Sequence, residues 1–363
     1  MCLKLVNHMK VEKVEVVYIT SSTLNEIKGL KKRKKIMRLG KVSYNTLKKS
    51  ILRPITPRRK EVLVGAGIGR DSSVLSWDKD GVFVMSVNSI CLDSRKAPIF
   101  AFYRVVNDLF ASSATPIAIS VEIIFPKKSE EMRMLQWMKQ LDELCQAHNM
   151  EIIGGHTTVS MAVTMPILSL TAIGKREEKI LEGAKAGQDI VITKTVGLEG
   201  SYLIAHYKKE ELLKRYREEF LDGAERFISK LSCQKECEIA RKLGVSAMHN
   251  LSEGGVFGGL WELLDGANLG MNIDLKKIPM DQRTVEVSEY FNVNPYYLLS
   301  GGSMLMTTNN GNQLVEALHN EGIDAVVIGK VTEGNDRIII NEEEQRFLDL
   351  PKQDEIYKLD IIG

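Results

Sequence analysis

The chain has 363 residues, 49 Lys+Arg against 47 Asp+Glu (net +2), 44% hydrophobic and 26% charged. This balance excludes a disordered chain, a collagen and a general nucleic-acid binder, which would carry a basic excess. The length buries a core without disulfides or metals and predicts about two domains.

Met1–His8 lacks the charged and apolar regions of a secretory signal. No apolar run approaches the ~18 residues of a spanning helix, so no membrane partner is expected. Five cysteines, Cys2, Cys91, Cys145, Cys233 and Cys237, are irregularly spaced. That argues against a disulfide framework and for a reduced, cytoplasmic setting. Cys233 and Cys237 have no second pair or nearby His and read as small buried residues rather than metal ligands. The basic run Lys28–Arg38 reads as a solvated face or linker, not a nucleic-acid arm.

In chain order, Val14–Ile19 is expected as a strand and Ser43–Ile51 as a short helix stopped near Pro54. Glu61–Leu75 is apolar and Gly-rich. Val82–Val87 reads as a strand, Phe100–Ser113 as a helix and Ile117–Phe125 as a β-branched strand. Ser129–Asn149 is the clearest helix, with Ser129 as its cap and an apolar stripe through Leu135, Met138, Leu141 and Cys145. A short strand, Glu151–Ile153, leads into Gly154-Gly155-His156-Thr157, followed by strands Val159–Met165 and Ile167–Ile173. Arg176–Gly187 is polar and marks a boundary. The second half opens with a strand, Asp189–Thr193, and continues with a charged helical stretch, Tyr207–Lys230. Val245–His249 leads to a helix, Val256–Leu264. Leu298–Thr307 and Ala325–Val331 are strand-like. Both halves run strand, Gly-rich turn, helix, so α/β and α+β domains are expected.

Four segments carry chemistry. Gly67-Ile68-Gly69-Arg70-Asp71-Ser72 is a turn whose backbone N–H groups could cradle phosphate, or a purely structural turn. In Val106-Asn107-Asp108-Leu109 an acid sits in an apolar stretch and needs a cation, donors or a salt-bridge partner. In Gly154-Gly155-His156-Thr157 the His could touch phosphate, move a proton, ligate a metal or simply be hydrogen-bonded. Asn250-Leu251-Ser252-Glu253-Gly254-Gly255 opens a helix, where N–H groups favour an anion; Ser252 is otherwise an N-cap.

Together these segments resemble the superfamily of aminoimidazole ribonucleotide (AIR) synthetase, thiamine-monophosphate kinase, selenophosphate synthetase and the hydrogenase-maturation protein HypE. The nearest branch is the HypE-like, AIR synthase-related one. The likeness runs from Leu39-Gly40-Lys41-Val42 to Val331 and includes Thr193-Lys194-Thr195-Val196-Gly197-Leu198-Glu199-Gly200. It implies a two-domain AIR-synthetase-like fold: an N-terminal α/β domain (36–176) forming a barrel-like interface in a homodimer, and a C-terminal α+β domain (177–345). An N-terminal extension (1–35) and a tail (346–363) flank them. It also implies ATP with Mg²⁺ in the cleft, used to phosphorylate or activate an oxygen of a small-molecule substrate. The implied nucleotide-binding residues are Gly67, Gly69, Asp71, Ser72, Asn88, Asp108, Gly154, Gly155, His156, Thr157, Glu199, Asn250, Ser252 and Glu253. Asp71 and Asp108 are the implied metal ligands.

The chain departs from the family where the family carries acids. Arg70, Asn88, His156 and Asn250 stand at positions usually acidic, which leaves the cleft several charge units less negative. No cysteine follows Cys237, unlike the cysteine-bearing tail of HypE, and Cys2 sits in no selenophosphate-synthetase context. The alternative expectation is a non-catalytic dimeric nucleotide- or ligand-binding relative.

Overall fold

The computed structural model describes residues 44–46, 62–64, 68–69, 73–78, 81–127, 129–176 and 181–362. The expected strand Val14–Ile19, the basic run Lys28–Arg38 and the residues Gly67, Arg70, Asp71 and Ser72 lie outside them, as does most of the expected helix Ser43–Ile51.

Among the described residues six strands form the first sheet: β1 (Val62–Val64), β2 (Ser73–Asp78), β3 (Gly81–Cys91), β4 (Thr115–Pro126), β5 (Glu151–Ser160) and β6 (Ile167–Arg176). Their spatial order is β1-β2-β3-β6-β4-β5. Among the described residues of this sheet only β4 and β5 pair in parallel. A parallel pair needs a crossover, and the helix α2 (Glu131–Ala147) supplies it. Side chains alternate along β3: Val84, Ser86 and Ile90 are buried, while Phe83, Met85 and Val87 are exposed. The helix α1 (Ala97–Ala111) covers the buried face with Phe100, Phe102, Val105 and Leu109. Its other side meets the second half, so α1 is buried almost throughout.

Three expectations in this half are corrected. Ser129 does not cap α2; the N-cap is Glu130, without a side-chain bond. The Ser129 N–H is instead used in a turn, donating to the Pro126 carbonyl at 3.1 Å. The helix ends where Asn149 takes φ +51°, a conformation asparagine tolerates. Second, Gly154-Gly155-His156-Thr157 is not a turn after a short strand but the middle of β5. The pairing slips between Ile119 and Ser120 on β4, and a Cβ at Gly155 would lie 1.7 Å from the Val121 carbonyl oxygen. The glycine therefore serves a bulge with close backbone approach. The strand expected over Val159–Met165 stops at Ser160, whose hydroxyl takes the Ala162 N–H.

The second sheet has seven strands: β7 (Asp189–Thr193), β8 (Ala247–Asn250), β9 (Gly270–Asp274), β10 (Met304–Thr308), β11 (Ala325–Thr332), β12 (Arg337–Asn341) and β13 (Glu344–Phe347). Their order is β13-β12-β9-β11-β7-β10-β8. Around it lie α3 (Leu198–Tyr207), α4 (Lys209–Leu212), α5 (Glu218–Glu225), α6 (Gln234–Lys242), α7 (Gly255–Asp265), α8 (Gln282–Tyr290) and α9 (Gly311–Asn320). On one face Phe257, Leu260 and Leu264 of α7 pack on Ile190, Ile192 and Leu305. The other face joins the core that contains α1.

The helix expected over Tyr207–Lys230 is broken into α4, α5 and a 3-10 turn. Leu212 and Leu221 are both fully buried. Their spacing would set them on opposite faces of one helix, so the chain must turn between them. The strand expected over Leu298–Thr307 begins only at Met304. Gly301 and Gly302 precede it because the backbone there runs against other groups. A Cβ on Gly301 would meet Glu199 Oε2 at 2.1 Å, and Gly302 has φ +99°. Cys145, Cys233 and Cys237 are buried free thiols, as expected.

Candidate functional site

A row of buried polar side chains crosses from the first sheet to the second half. It starts on α1, where Arg104 and Asp108 are four residues apart and so share one helix face. Both are 8% exposed. Asp108 Oδ2 accepts from the Ser86 hydroxyl of β3 at 2.6 Å. Its Oδ1 accepts from Asn250 Nδ2 at 2.8 Å, and the same amide also donates to the Arg104 carbonyl at 3.3 Å. The Arg104 guanidinium grips Glu199 Oε1 through Nε (3.2 Å) and Nη2 (2.8 Å). Its Nη1 lies 3.8 Å from Glu253, and Glu253 Oε1 accepts from the Tyr357 hydroxyl at 3.0 Å. Asn107 stitches the same helix to the chain before α6, donating to the Leu231 carbonyl and accepting from the Cys233 N–H.

Local backbone features aim these groups. Asn250 ends β8, and the chain then turns through Gly254, which takes φ +86° as the N-cap of α7. Ser252 is not that cap; its carbonyl receives the N–H groups of Gly255 and Ser300, both at 3.2 Å. Glu199 sits in the first turn of α3, just after Gly197, where φ is +72°.

Burial opposes the charge on Arg104, but Glu199 and Glu253 outweigh it and hold its pKa above the ordinary value. Burial pushes Glu199 up, and Arg104 pulls against that shift. Of the buried side-chain atoms without a hydrogen-bond partner among the described residues, Asn88 Oδ1 and Asn250 Oδ1 are acceptors at this row. Buried oxygens without donors are rare and point to a ligand, an ion or water.

Asp108, Glu199, Asn250 and Glu253 of the expected residues meet along this row; Ser252 adjoins it, and Asn88 shares the inward face of β3 with Ser86. Gly154, Gly155, His156 and Thr157 do not join them within one chain. They lie on β5, separated from β3 by β6 and β4, and His156 is exposed. Gly69 packs on α7, where a Cβ would stand 1.8 Å from the Glu262 carbonyl oxygen. Nearby, the Tyr44 hydroxyl donates to Asp265 at 2.6 Å. Among the described residues no three His, Cys, Asp or Glu side chains are grouped to hold a metal.

Sequence reasoning missed Arg104, Ser86 and Tyr357. Arg104 had a signal: a second charge in the apolar run Ala101–Phe110 demands a partner as much as Asp108 does. Nothing local marks Ser86 or Tyr357.

Residues 69–176 match the family model described as AIR synthase related protein, N-terminal domain, and residues 185–341 match its C-terminal domain. A hydrogenase expression/formation protein of Methanocaldococcus jannaschii is 25% identical over 330 residues, covering 87% of this chain and 96% of the relative. The thiamine-monophosphate kinase of the same organism is 26% identical over 297 residues, 74% of this chain and 87% of its own. Among solved structures, the hydrogenase maturation protein HypE in complex with ATP superposes with a TM-score of 0.66 at 16% identity, covering 88% of this chain and 98% of that one.

Proposed function

We propose, from the premise that the chain belongs to the AIR synthase related family, that it binds ATP and uses it to phosphorylate or activate an oxygen of a small molecule. The observation that carries this reading is the row Ser86–Asp108–Asn250–Arg104–Glu253, buried apart from the half-buried Glu253, which ties both halves of the fold together. Phosphoryl transfer asks a protein mainly for positioning and charge neutralisation. Fixed donors and a held carboxylate are suited to that task. Similarity to a HypE solved with ATP and to thiamine-monophosphate kinase supports the nucleotide.

In this reading Gly67 gives phosphates close backbone approach with Ser72 as a donor, while Gly154 and Thr157 of β5 reach them from a second copy; Gly69 and Gly155, expected in the same role, instead serve the close approach of the Glu262 and Val121 carbonyls. Glu199, Ser252 and Glu253 line the second-half side. The described oxygen donors, Asp108 with the unpartnered amide oxygens of Asn88 and Asn250, suit a hard cation in type but carry one negative charge. They fit an Mg²⁺ that arrives on the nucleotide phosphates, with Asp71 as a further ligand, and the ion would supply charge neutralisation there. The amides at 88 and 250 equally favour the second reading, a nucleotide binder without turnover.

Calorimetry with ATP, with and without Mg²⁺, combined with an assay of ADP release, separates the two. Mg²⁺-dependent binding with turnover is expected. Metal-independent binding without turnover establishes the binder, and no binding in either buffer overturns both.

The proposed assembly is a homodimer through the open face of the first sheet, where Phe83, Met85, Val87 and Ile117 are exposed. His156 would then serve a site shared between copies. A charge placed in such an interface costs a few kcal/mol. Val87→Asp is therefore expected to weaken self-association by about two orders of magnitude, at roughly 1.4 kcal/mol per tenfold. Sedimentation reads that loss, and an unchanged circular-dichroism melt of the monomer shows that the fold survives. A dimer untouched by the substitution places the interface elsewhere.

A further inference from the structure

We propose that residues 354–362 form a strap, fastened by Asp354 over the turn before α7, that controls access to the nucleotide site inferred above; this rests on that reading.

The strap lies outside the secondary structure of either sheet, yet it is anchored. Ile356, Leu359 and Ile361 enter the main core. Asp354 is 4% exposed, and its carboxylate accepts from three backbone N–H groups: Gly254 at 2.7 Å, Ile356 at 2.9 Å and Leu299 at 3.3 Å. Two residues of the site turn are thus held at once, because the Tyr357 hydroxyl bonds Glu253 next to Gly254. The Gly254 N–H, at the N-cap of α7, is a donor that the helix end would otherwise offer an anion, and the Leu299 N–H joins it from the loop before β10. Asp354 occupies them with its own side-chain oxygens.

The fastening responds to pH. Burial pushes the Asp354 carboxyl up to about 7, against its backbone donors, which pull it down, and with Glu253 adding to the rise. The charged and titratable groups around the strap are Glu253 on the turn, Arg104 behind it, and Glu355, Tyr357, Lys358 and the exposed Asp360 on the strap itself. Glu355 holds the Asn294 N–H at 2.9 Å and pairs with Lys358. A carboxyl with a higher pKa when fastened than when free binds its proton more tightly in the fastened state. Its contribution is full at low pH and is lost as pH rises through about 7. The strap is held most firmly at low pH, with its carboxyl protonated, and has lost that hold once the pH passes about 7, freeing the donors for a ligand.

Hydrogen exchange on the full chain tests this without any nucleotide. Protection factors of residues 354–362 are expected to fall about tenfold between pH 6 and pH 8.5, while those of α1 stay level. In Asp354→Asn the strap's protection is expected to be flat with pH. Should that variant not fold, Tyr357→Phe is expected to lower protection at both pH values and keep the tenfold ratio. Flat protection in the native chain, a persisting fall in Asp354→Asn, or a lost ratio in Tyr357→Phe overturns the strap. Excess ATP at pH 6 is expected to lower strap protection. A chain that binds ATP with its strap indifferent to pH overturns the strap and leaves the nucleotide reading standing. A strap that responds to pH in a chain that never binds ATP overturns the nucleotide reading and with it the control of access, and leaves only the pH-sensitive fastening.

Discussion

Arg104→Met is expected to destabilise the chain by about 3–5 kcal/mol, the range for removing one partner of a buried ion pair. Glu199 is 2% exposed and takes two hydrogen bonds from Arg104. Gly301 closes over its other oxygen, so little room remains for replacement donors. Chemical denaturation reads the loss as a shifted midpoint. Arg104→Met combined with Glu199→Gln is expected to recover at least half of it, because the uncompensated charge is gone. The deficit of the single variant depends on pH. Burial pushes the Glu199 carboxyl up and only Arg104 opposes it. Without Arg104, its value in the folded chain stands above the unfolded 4.5, so the fold binds the proton more tightly. The deficit is therefore greatest at neutral pH and shrinks as pH falls toward 4.5. A deficit under 1 kcal/mol, or one that the double variant does not reduce, would show that Glu199 finds other partners.

Asp108→Asn is expected to act on the ligand rather than on the fold. The amide keeps an acceptor for Asn250 Nδ2 and turns a donor toward the Ser86 hydroxyl, which can reverse its bond. What changes is one negative charge. A unit charge ~4 Å from a cation is worth roughly 4 kcal/mol at an effective dielectric near 20. Affinity for Mg²⁺·ATP is therefore expected to fall at least tenfold, while affinity for metal-free ATP rises because a repulsive carboxylate has gone. Calorimetry in the two buffers reads both signs. Equal shifts in the two would mean that Asp108 does not face the metal–phosphate group.

The sequence made strands and helices legible where their pattern is self-contained. Asp189–Thr193 coincides with β7. The expected Val256–Leu264 and Ile117–Phe125 fall within a residue or two of α7 and β4. It failed where a distant backbone decides the conformation. Gly155 is in a strand because Val121 approaches it, and Gly301 precedes β10 because Glu199 does. Glycine signals freedom, and only the partner says how that freedom is used. The site follows the same rule. Asp108 stood out as an acid in apolar company, whereas Ser86 and Tyr357 gain their roles from neighbours that no local pattern announces.

The bonds of the polar row join residues 95, 142 and 104 positions apart in the chain. Contacts separated so widely form only after large loops have closed. The row is therefore expected to close late on the folding route, with Arg104 and Asp108 showing φ-values near zero. Weakening it leaves the rate of folding nearly unchanged and speeds unfolding. A cell carrying an Arg104 variant would make the native form at the usual pace and lose it sooner, so the row governs how long each molecule lasts.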